Sequence, residues 1–288
     1  MTLSQTALPI KNYNLALTLA SGQAFRWRRS GGAWEGVVGS RWVRLRQEPG
    51  CLRAETYGPA EDWRWLRHYL QTEVDLDPIL AAFPDDSPMR EAVAACRGLR
   101  LLRQEPWECL ASFICSSTKQ IVQIEQIVGL LSQKFGPPLP LPPGIQSAGA
   151  FPTVERLAAA SEAELRACKL GFRAPYLSGT ARKLAAGEVD LSRLGGRPLE
   201  EAREALLTLP GVGAKIADCV LLFAYGFQEA FPMDVWIIKA LQQLYFPKRR
   251  PKLPRLRHFS RSHFGPYSGY AQQYLFHYMR TRKRPAPA

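Results

Sequence analysis

Lys215 and Asp234 are the residues of this sequence whose types and settings best suit covalent chemistry. Lys215 follows Leu209-Pro210-Gly211-Val212-Gly213-Ala214, and Asp234 follows Phe231-Pro232-Met233, nineteen residues beyond the lysine. Each has an ordinary reading, the lysine as a phosphate contact and the aspartate as a helix cap. Together they offer an amine nucleophile and a carboxylate. A helix N-terminus and partial burial both disfavour an ammonium ion, the direction a nucleophilic amine requires. A nearby carboxylate can stabilise positive charge developing on a sugar as its bond to a base breaks.

The flanking segments must bring this pair into one cleft. Pro198, Leu199, Glu200 and Glu201 put a proline and acids in a first helical turn and predict a helix to about Leu207. A second helix is expected from near Ala214 through Ala217, Val220, Leu221 and Ala224, and a third from Val235 to Tyr245. Two helices joined by L-P-G-V-G predict a helix-hairpin-helix. Its Gly211 and Gly213 allow close backbone approach, and N–H groups at the next helix start can hold a phosphate without reading sequence. Taken alone, the turn also fits an ordinary αα-hairpin. The intervening helix is about long enough for the chain to return and set Asp234 beside Lys215.

Elsewhere, Phe25, Trp27, Trp34, Val37, Trp42, Leu45 and Leu52 recur between turn signals at Ser30-Gly31-Gly32 and Pro49-Gly50. This predicts an antiparallel meander over residues 23–57. From Glu61 the period turns helical. Helices are expected around Trp63 to Leu70, from Met89 to Cys96 behind a Ser87-Pro88 cap, from Pro106 past Ile114, from Ile121 to Phe135, and from Ala174 to Ala186. Residues 136–144 (GPPLPLPPG) form a stiff connection, Ser161-x-x-Glu164 is a capping box, and Gly171 is expected to stop that helix. The expected fold is α+β and mostly α. A β-rich domain occupies 1–86, a helical body 87–280, and a basic tail 281–288.

Charge narrows the classes of partner. The chain has 288 residues and a net charge of +13, yet twelve of its 38 Lys and Arg follow Asp234, where no Asp or Glu occurs. The first 234 residues therefore sit near +1. Tyr245, Phe246, Phe259 and Phe264 are interleaved with those cations, which favours a folded face for nucleic acid over a purely solvated tail. No apolar run is long enough to span a membrane, and no charged stretch precedes an apolar N-terminal segment, so an intracellular protein is expected. The six cysteines form no C-x-x-C pair and are read as reduced thiols, and the four histidines form no H-E-x-x-H. Metal chemistry has little support.

Leu209-Pro210-Gly211-Val212-Gly213-x-Lys215 with Pro232-x-Asp234-Val235 resembles the helix-hairpin-helix glycosylases with a Gly/Pro-Asp loop. More narrowly, five further blocks resemble the eukaryotic-type 8-oxoguanine DNA glycosylase/lyase family. They are Ser21-Gly22-Gln23-Ala24-Phe25-Arg26-Trp27, Leu101-Leu102-Arg103-Gln104, Phe113-Ile114-Cys115-Ser116-Ser117, Gly171-Phe172-Arg173-Ala174 and Gly265-Pro266-Tyr267, in order along the chain. The resemblance implies a β-rich domain packed on two helical lobes. Double-stranded DNA carrying oxidised guanine would lie across the cleft of a monomer that requires no cofactor.

It also implies residue roles. Lys215 would attack C1′ of an extruded nucleotide, form a Schiff base and nick the strand by β-elimination, with Asp234 stabilising the oxocarbenium-like state. The Gly22 carbonyl would accept the N7–H that distinguishes 8-oxoguanine from guanine. Phe276 and Cys219 would sandwich the base, Gln272 would read its Watson–Crick edge, and Pro232 would line the pocket. Gly211 and Gly213 would hold phosphate, with a cation allowed at the carbonyls of Leu207, Leu209 and Val212.

The departures face the opposite strand. Thr118-Lys119-Gln120 stands where the family has three asparagines, Gln123 where an arginine reads cytosine, Phe172 where a tyrosine wedges the stack, and Trp236 where a histidine is common. Arg173 matches the second cytosine-reading arginine. Losing those hydrogen bonds predicts excision less confined to lesions opposite C. Endonuclease III-like relatives end in a four-cysteine cluster, and no Cys follows Cys219; alkylpurine glycosylases lack the lysine. The remaining alternatives are a non-catalytic helix-hairpin-helix DNA-binding protein and a glycosylase for another damaged purine.

Overall fold

The computed structural model describes residues 2–145 and 148–282. Of the expected basic tail, residues 283–288 therefore lie outside the described residues, while Thr281 closes the last helix.

Five strands form one antiparallel sheet in the order β1-β5-β4-β3-β2: β1 (Leu3–Pro9), β2 (Arg28–Ser30), β3 (Ala33–Val38), β4 (Arg41–Glu48) and β5 (Cys51–Tyr57). Four of these fall in the expected meander, although pairing starts only at Arg28; Phe25 and Trp27 precede it as buried residues. Strand β1 was not foreseen. It pairs from Leu3↔Tyr57 to Pro9↔Cys51, and as an edge strand it buries only Leu8, so its sequence carries little alternation to detect.

Fourteen α-helices are present among the described residues. The first seven are α1 (Leu15–Ala20), α2 (Arg64–Leu70), α3 (Asp77–Ala81), α4 (Ser87–Ala95), α5 (Pro106–Cys115), α6 (Ile121–Phe135) and α7 (Val154–Ala158). Then come α8 (Glu162–Ala167), α9 (Ala174–Ala185), α10 (Leu199–Leu207), α11 (Ala214–Val220), α12 (Val235–Leu244), α13 (Leu253–His263) and α14 (Ser268–Thr281). The cap of α4 is Asp86, not Ser87: its carboxylate accepts the Met89 N–H at 2.8 Å. Helix α8 has the expected capping box but ends at Ala167, ahead of Gly171, with Lys169 in the left-handed region at φ +65°. Helix α11 is shorter than expected because it widens into a π-helical turn, Leu221–Tyr225, closed by Gly226 at φ +80°.

Two cores interlock. Leu8, Trp27, Val43, Leu45, Leu52 and Ala54 pack the sheet on Leu15, Leu19, Leu66 and Leu70, and Leu102 joins them from the helical side. The larger core unites Phe113, Ile127, Leu131, Leu177, Val220 and Tyr274, and Phe25 joins it from the sheet side. Each such fully buried side chain is worth roughly 1.5–3 kcal/mol.

Between the cores runs a polar seam. Gln23 accepts the Leu102 N–H at 2.8 Å and donates to the Thr18 and Arg100 carbonyls at 2.9 and 2.8 Å. Gln273 of α14 donates to the Ser21 carbonyl at 3.0 Å. These bonds pin the Ser21-Gly22-Gln23 loop against α14. No helix among the described residues is long and apolar enough to cross a membrane.

Candidate active site

Lys215 occupies the first turn of α11, directly after the hairpin. Its Nζ donates to Ser116 Oγ at 3.2 Å and sits 4.8 Å from the Phe113 ring centroid. Ser116, at the C-terminal cap of α5, donates its own hydroxyl proton to the Phe113 carbonyl at 2.6 Å, so its lone pairs face the lysine. The amine is thereby held by a neutral acceptor and an aromatic face, with no ion pair to neutralise it.

Asp234 caps α12, accepting the Ile237 N–H at 2.8 Å. Burial pushes its carboxyl above the ordinary value, against the opposing pull of the Ile237 N–H and the Lys215 charge. The capping reading is realised, and the cap leaves the carboxylate close enough to feel the Lys215 charge. Cys219, one turn after Lys215, lies near both charges, and burial raises its thiol to about 12. It is an uncharged apolar wall rather than a reactive thiolate. The structure therefore brings Lys215, Cys219 and Asp234 to one place.

Gly22 approaches from the sheet side, beside Arg280, whose charge reaches Asp234. It has φ +78°, and a Cβ there would lie 2.5 Å from the end of Ile121, 3.3 Å from Arg280 Nη1 and 3.4 Å from the Phe276 ring. Only a residue without a side chain fits this close approach at a positive φ. Gln272, Phe276 and Arg280 follow at four-residue spacing along α14 and so share a helix face. Gln272 is buried, and its Oε1 has no hydrogen-bond partner among the described residues. An orphaned buried acceptor of this kind calls for a donor from outside the protein. Pro232 is buried just ahead of Asp234.

The two helices are joined by the expected tight turn, but of its two glycines only Gly211 is required by backbone conformation or close packing; Gly213 has φ −97° and open space around it. Gly211 has φ +74°, and a Cβ there would lie 2.6 Å from the Tyr176 Cβ. Gly213 is exposed and caps α11. The Leu209 carbonyl, one of the three expected at a cation site, accepts the Val212 N–H at 3.2 Å. Among the described residues no three side chains are grouped to hold a metal.

Comparison with known proteins decides the family. The profile described as "8-oxoguanine DNA glycosylase, N-terminal domain" matches residues 6–110, and that of the "HhH-GPD superfamily base excision DNA repair protein" matches residues 111–262. The N-glycosylase/DNA lyase OGG1 of Arabidopsis thaliana is 37% identical over 91% of this chain and 76% of its own length. The probable N-glycosylase/DNA lyase of Methanothermobacter thermautotrophicus is 32% identical over 95% of each. The chain belongs to the 8-oxoguanine DNA glycosylase family.

Its fold is also that of the Clostridium acetobutylicum 8-oxoguanine glycosylase/lyase, solved with double-stranded DNA containing cytosine opposite 8-oxoG. The TM-score is 0.89, with 31% identity over 97% of this chain and 98% of that one. The enzyme is accordingly a DNA N-glycosylase/lyase with an N-terminal antiparallel sheet and a helical body.

The residues expected to face the opposite strand are arranged differently from the base pocket. Arg173 is only 3% exposed; it donates to the Ser117 carbonyl at 2.8 Å through Nε and to Thr118 Oγ1 at 2.7 Å. Thr118 is held at φ +56°, an unusual conformation for a β-branched residue. The Gln123 amide accepts the Gln120 N–H at 3.1 Å in a capping box for α6. Phe172 and Trp236 are exposed. Sequence reasoning missed Ser116 and Phe113 as partners of Lys215, although both stand in a block it quoted. It missed Arg280 too, which the spacing 272, 276, 280 on one helix would have found.

Proposed function

We propose that this enzyme extrudes 8-oxoguanine from duplex DNA and removes it with Lys215 as nucleophile. The observation that carries this reading is that Lys215, Cys219 and Asp234 come together, and that Arg280, whose charge reaches Asp234, stands beside Gly22 and Phe276. The lesion must leave the stack, because the glycosidic bond is unreachable inside the duplex.

The steps balance without a cofactor. The neutral Lys215 amine bonds to C1′ as the bond to the base breaks; the base leaves with that electron pair and takes up a proton. The amine then loses its protons as the sugar ring opens to an imine. Removal of a C2′ proton next breaks the C3′–O3′ bond and nicks the strand. The Asp234 carboxylate stabilises the cationic sugar, and its bond to Ile237 N–H holds it in place.

In this reading Gly22 accepts N7–H, Cys219 and Phe276 enclose the base, Gln272 reads its polar edge, and Pro232 closes the floor. Gly211 and Gly213 grip phosphate; Thr118, Gln120, Gln123, Phe172, Arg173 and Trp236 line the path of the duplex. A hard cation on the Leu207, Leu209 and Val212 carbonyls would add positive charge beside that phosphate, and no step depends on it. Residues 1–86 and 87–280 act as the two domains that meet at the pocket, in a monomer that works wherever the cell keeps its DNA.

Chromatography of bases released from duplexes with a single 8-oxoguanine or guanine tests this directly. Release of 8-oxoguanine alone, with strand scission, is expected; release of an alkylated purine in preference to it would reject the reading.

A further inference from the structure

Arg280 has a setting unlike that of the other shielded arginines. Arg26 pairs with Glu108 at 3.4 Å, Arg203 with Asp218 at 2.8 Å, and Arg100, Arg103 and Arg173 donate to backbone carbonyls at 3.3 Å or less. The Arg280 guanidinium is half-buried, lies 5.2 Å from the Phe276 ring centroid, and has no hydrogen-bond acceptor among the described residues. Its nearest opposing charge is the more distant Asp234 carboxylate. Its N–H groups are not sealed from solvent and stay open to a partner from outside the protein.

Its neighbours identify the acceptor. Arg280 shares a wall with Gly22 and Phe276, on the helix face that also carries Gln272. The phosphate grip, by contrast, is built on the hairpin at Gly211 and Gly213. We propose that Arg280 is a further specificity-determining residue, whose guanidinium donates to the C8 carbonyl oxygen of the extruded base. The inference rests on the function proposed above: if the Gly22 carbonyl accepts N7–H, the adjacent C8 oxygen faces the same wall. Guanine bears a C–H at that position, which gives the cation nothing to bond. Arg280 and Gly22 then read neighbouring atoms with opposite hydrogen-bonding sense.

The test is equilibrium binding in a Lys215→Gln background, where no chemistry proceeds. Three duplexes are compared, carrying 8-oxoguanine, guanine, or a tetrahydrofuran abasic analogue. Arg280→Met keeps the apolar stem and removes the donors; matched thermal melts establish that it folds. Its affinity for the lesion should fall by about 10- to 100-fold, the range of a lost charge-assisted hydrogen bond, with the abasic duplex unaffected. Arg280→Lys, which keeps the charge without the planar fork, should show the same pattern at smaller size. Equal losses on lesion and abasic duplexes would make Arg280 a phosphate contact and overturn the proposal, as would no loss on either. A Lys215→Gln parent that binds lesion and guanine duplexes alike would instead remove the underlying reading, whatever Arg280 does.

Discussion

Asp234 shows at a single residue how stability yields to function. Burial raises its carboxyl above the unfolded value, so its contribution to folding is fully present below the ordinary carboxylate range and is lost as pH rises through the raised value. The ionised form that catalysis needs is thus held at a cost to folding. Asp234→Asn keeps a side-chain acceptor for Ile237 N–H. It should therefore melt at or above the wild type at neutral pH, with the difference shrinking on acidification, while excision falls by about 10²–10³-fold. Thermal melts across pH beside single-turnover rates would show it; a wild type that melts higher at neutral pH would contradict it. Lys215, Asp234 and Gly22 could be picked out because their chemistry is written in residue type and motif. The Ser116 contact could not, since a serine at a helix end has many ordinary fates and only packing of α5 on α11 gives it this one.

At the level of elements, the base pocket and the opposite-strand surface follow different logics. The proposed pocket draws on α11, α12, α14 and the Gly22 loop; Asp234 caps α12, and the Gln23 and Gln273 bonds pin the loop against α14. The Ser117–Thr118 loop is instead tied inward by Arg173, and Gln123 is engaged in capping α6. Two groups aligned with cytosine readers are thus occupied within the protein. Excision opposite A, G or T should run within roughly tenfold of that opposite C, since each absent base contact removes about 1–3 kcal/mol of discrimination. Single-turnover rates on the four pairings test this, and a rate opposite C far above the others would reject it. Helix α6 was legible to both ends because its apolar period and terminal glycine agree. Strand β1 was not, because an edge strand with one buried residue is fixed by a partner some 50 positions away. The π-helical turn after α11 left no mark in the apolar pattern, which is continuous across it.

For the whole molecule, the uneven charge divides attraction from recognition. The cations after Asp234 include the exposed Lys248, Arg249, Arg250, Arg255 and Arg257, whereas the proposed phosphate grip of the hairpin uses backbone N–H groups. Raising salt from about 50 to about 200 mM should weaken binding to damaged and undamaged duplexes in parallel, leaving their ratio nearly constant. A ratio that collapses with salt would place recognition itself in the charge. The proposed function turns on one bond, between the Lys215 amine and C1′, which borohydride reduction during turnover would capture. Wild-type enzyme on an 8-oxoguanine duplex should yield a stable protein–DNA adduct, and Lys215→Gln should yield none while still binding the lesion. An adduct that persists in Lys215→Gln would contradict the assignment.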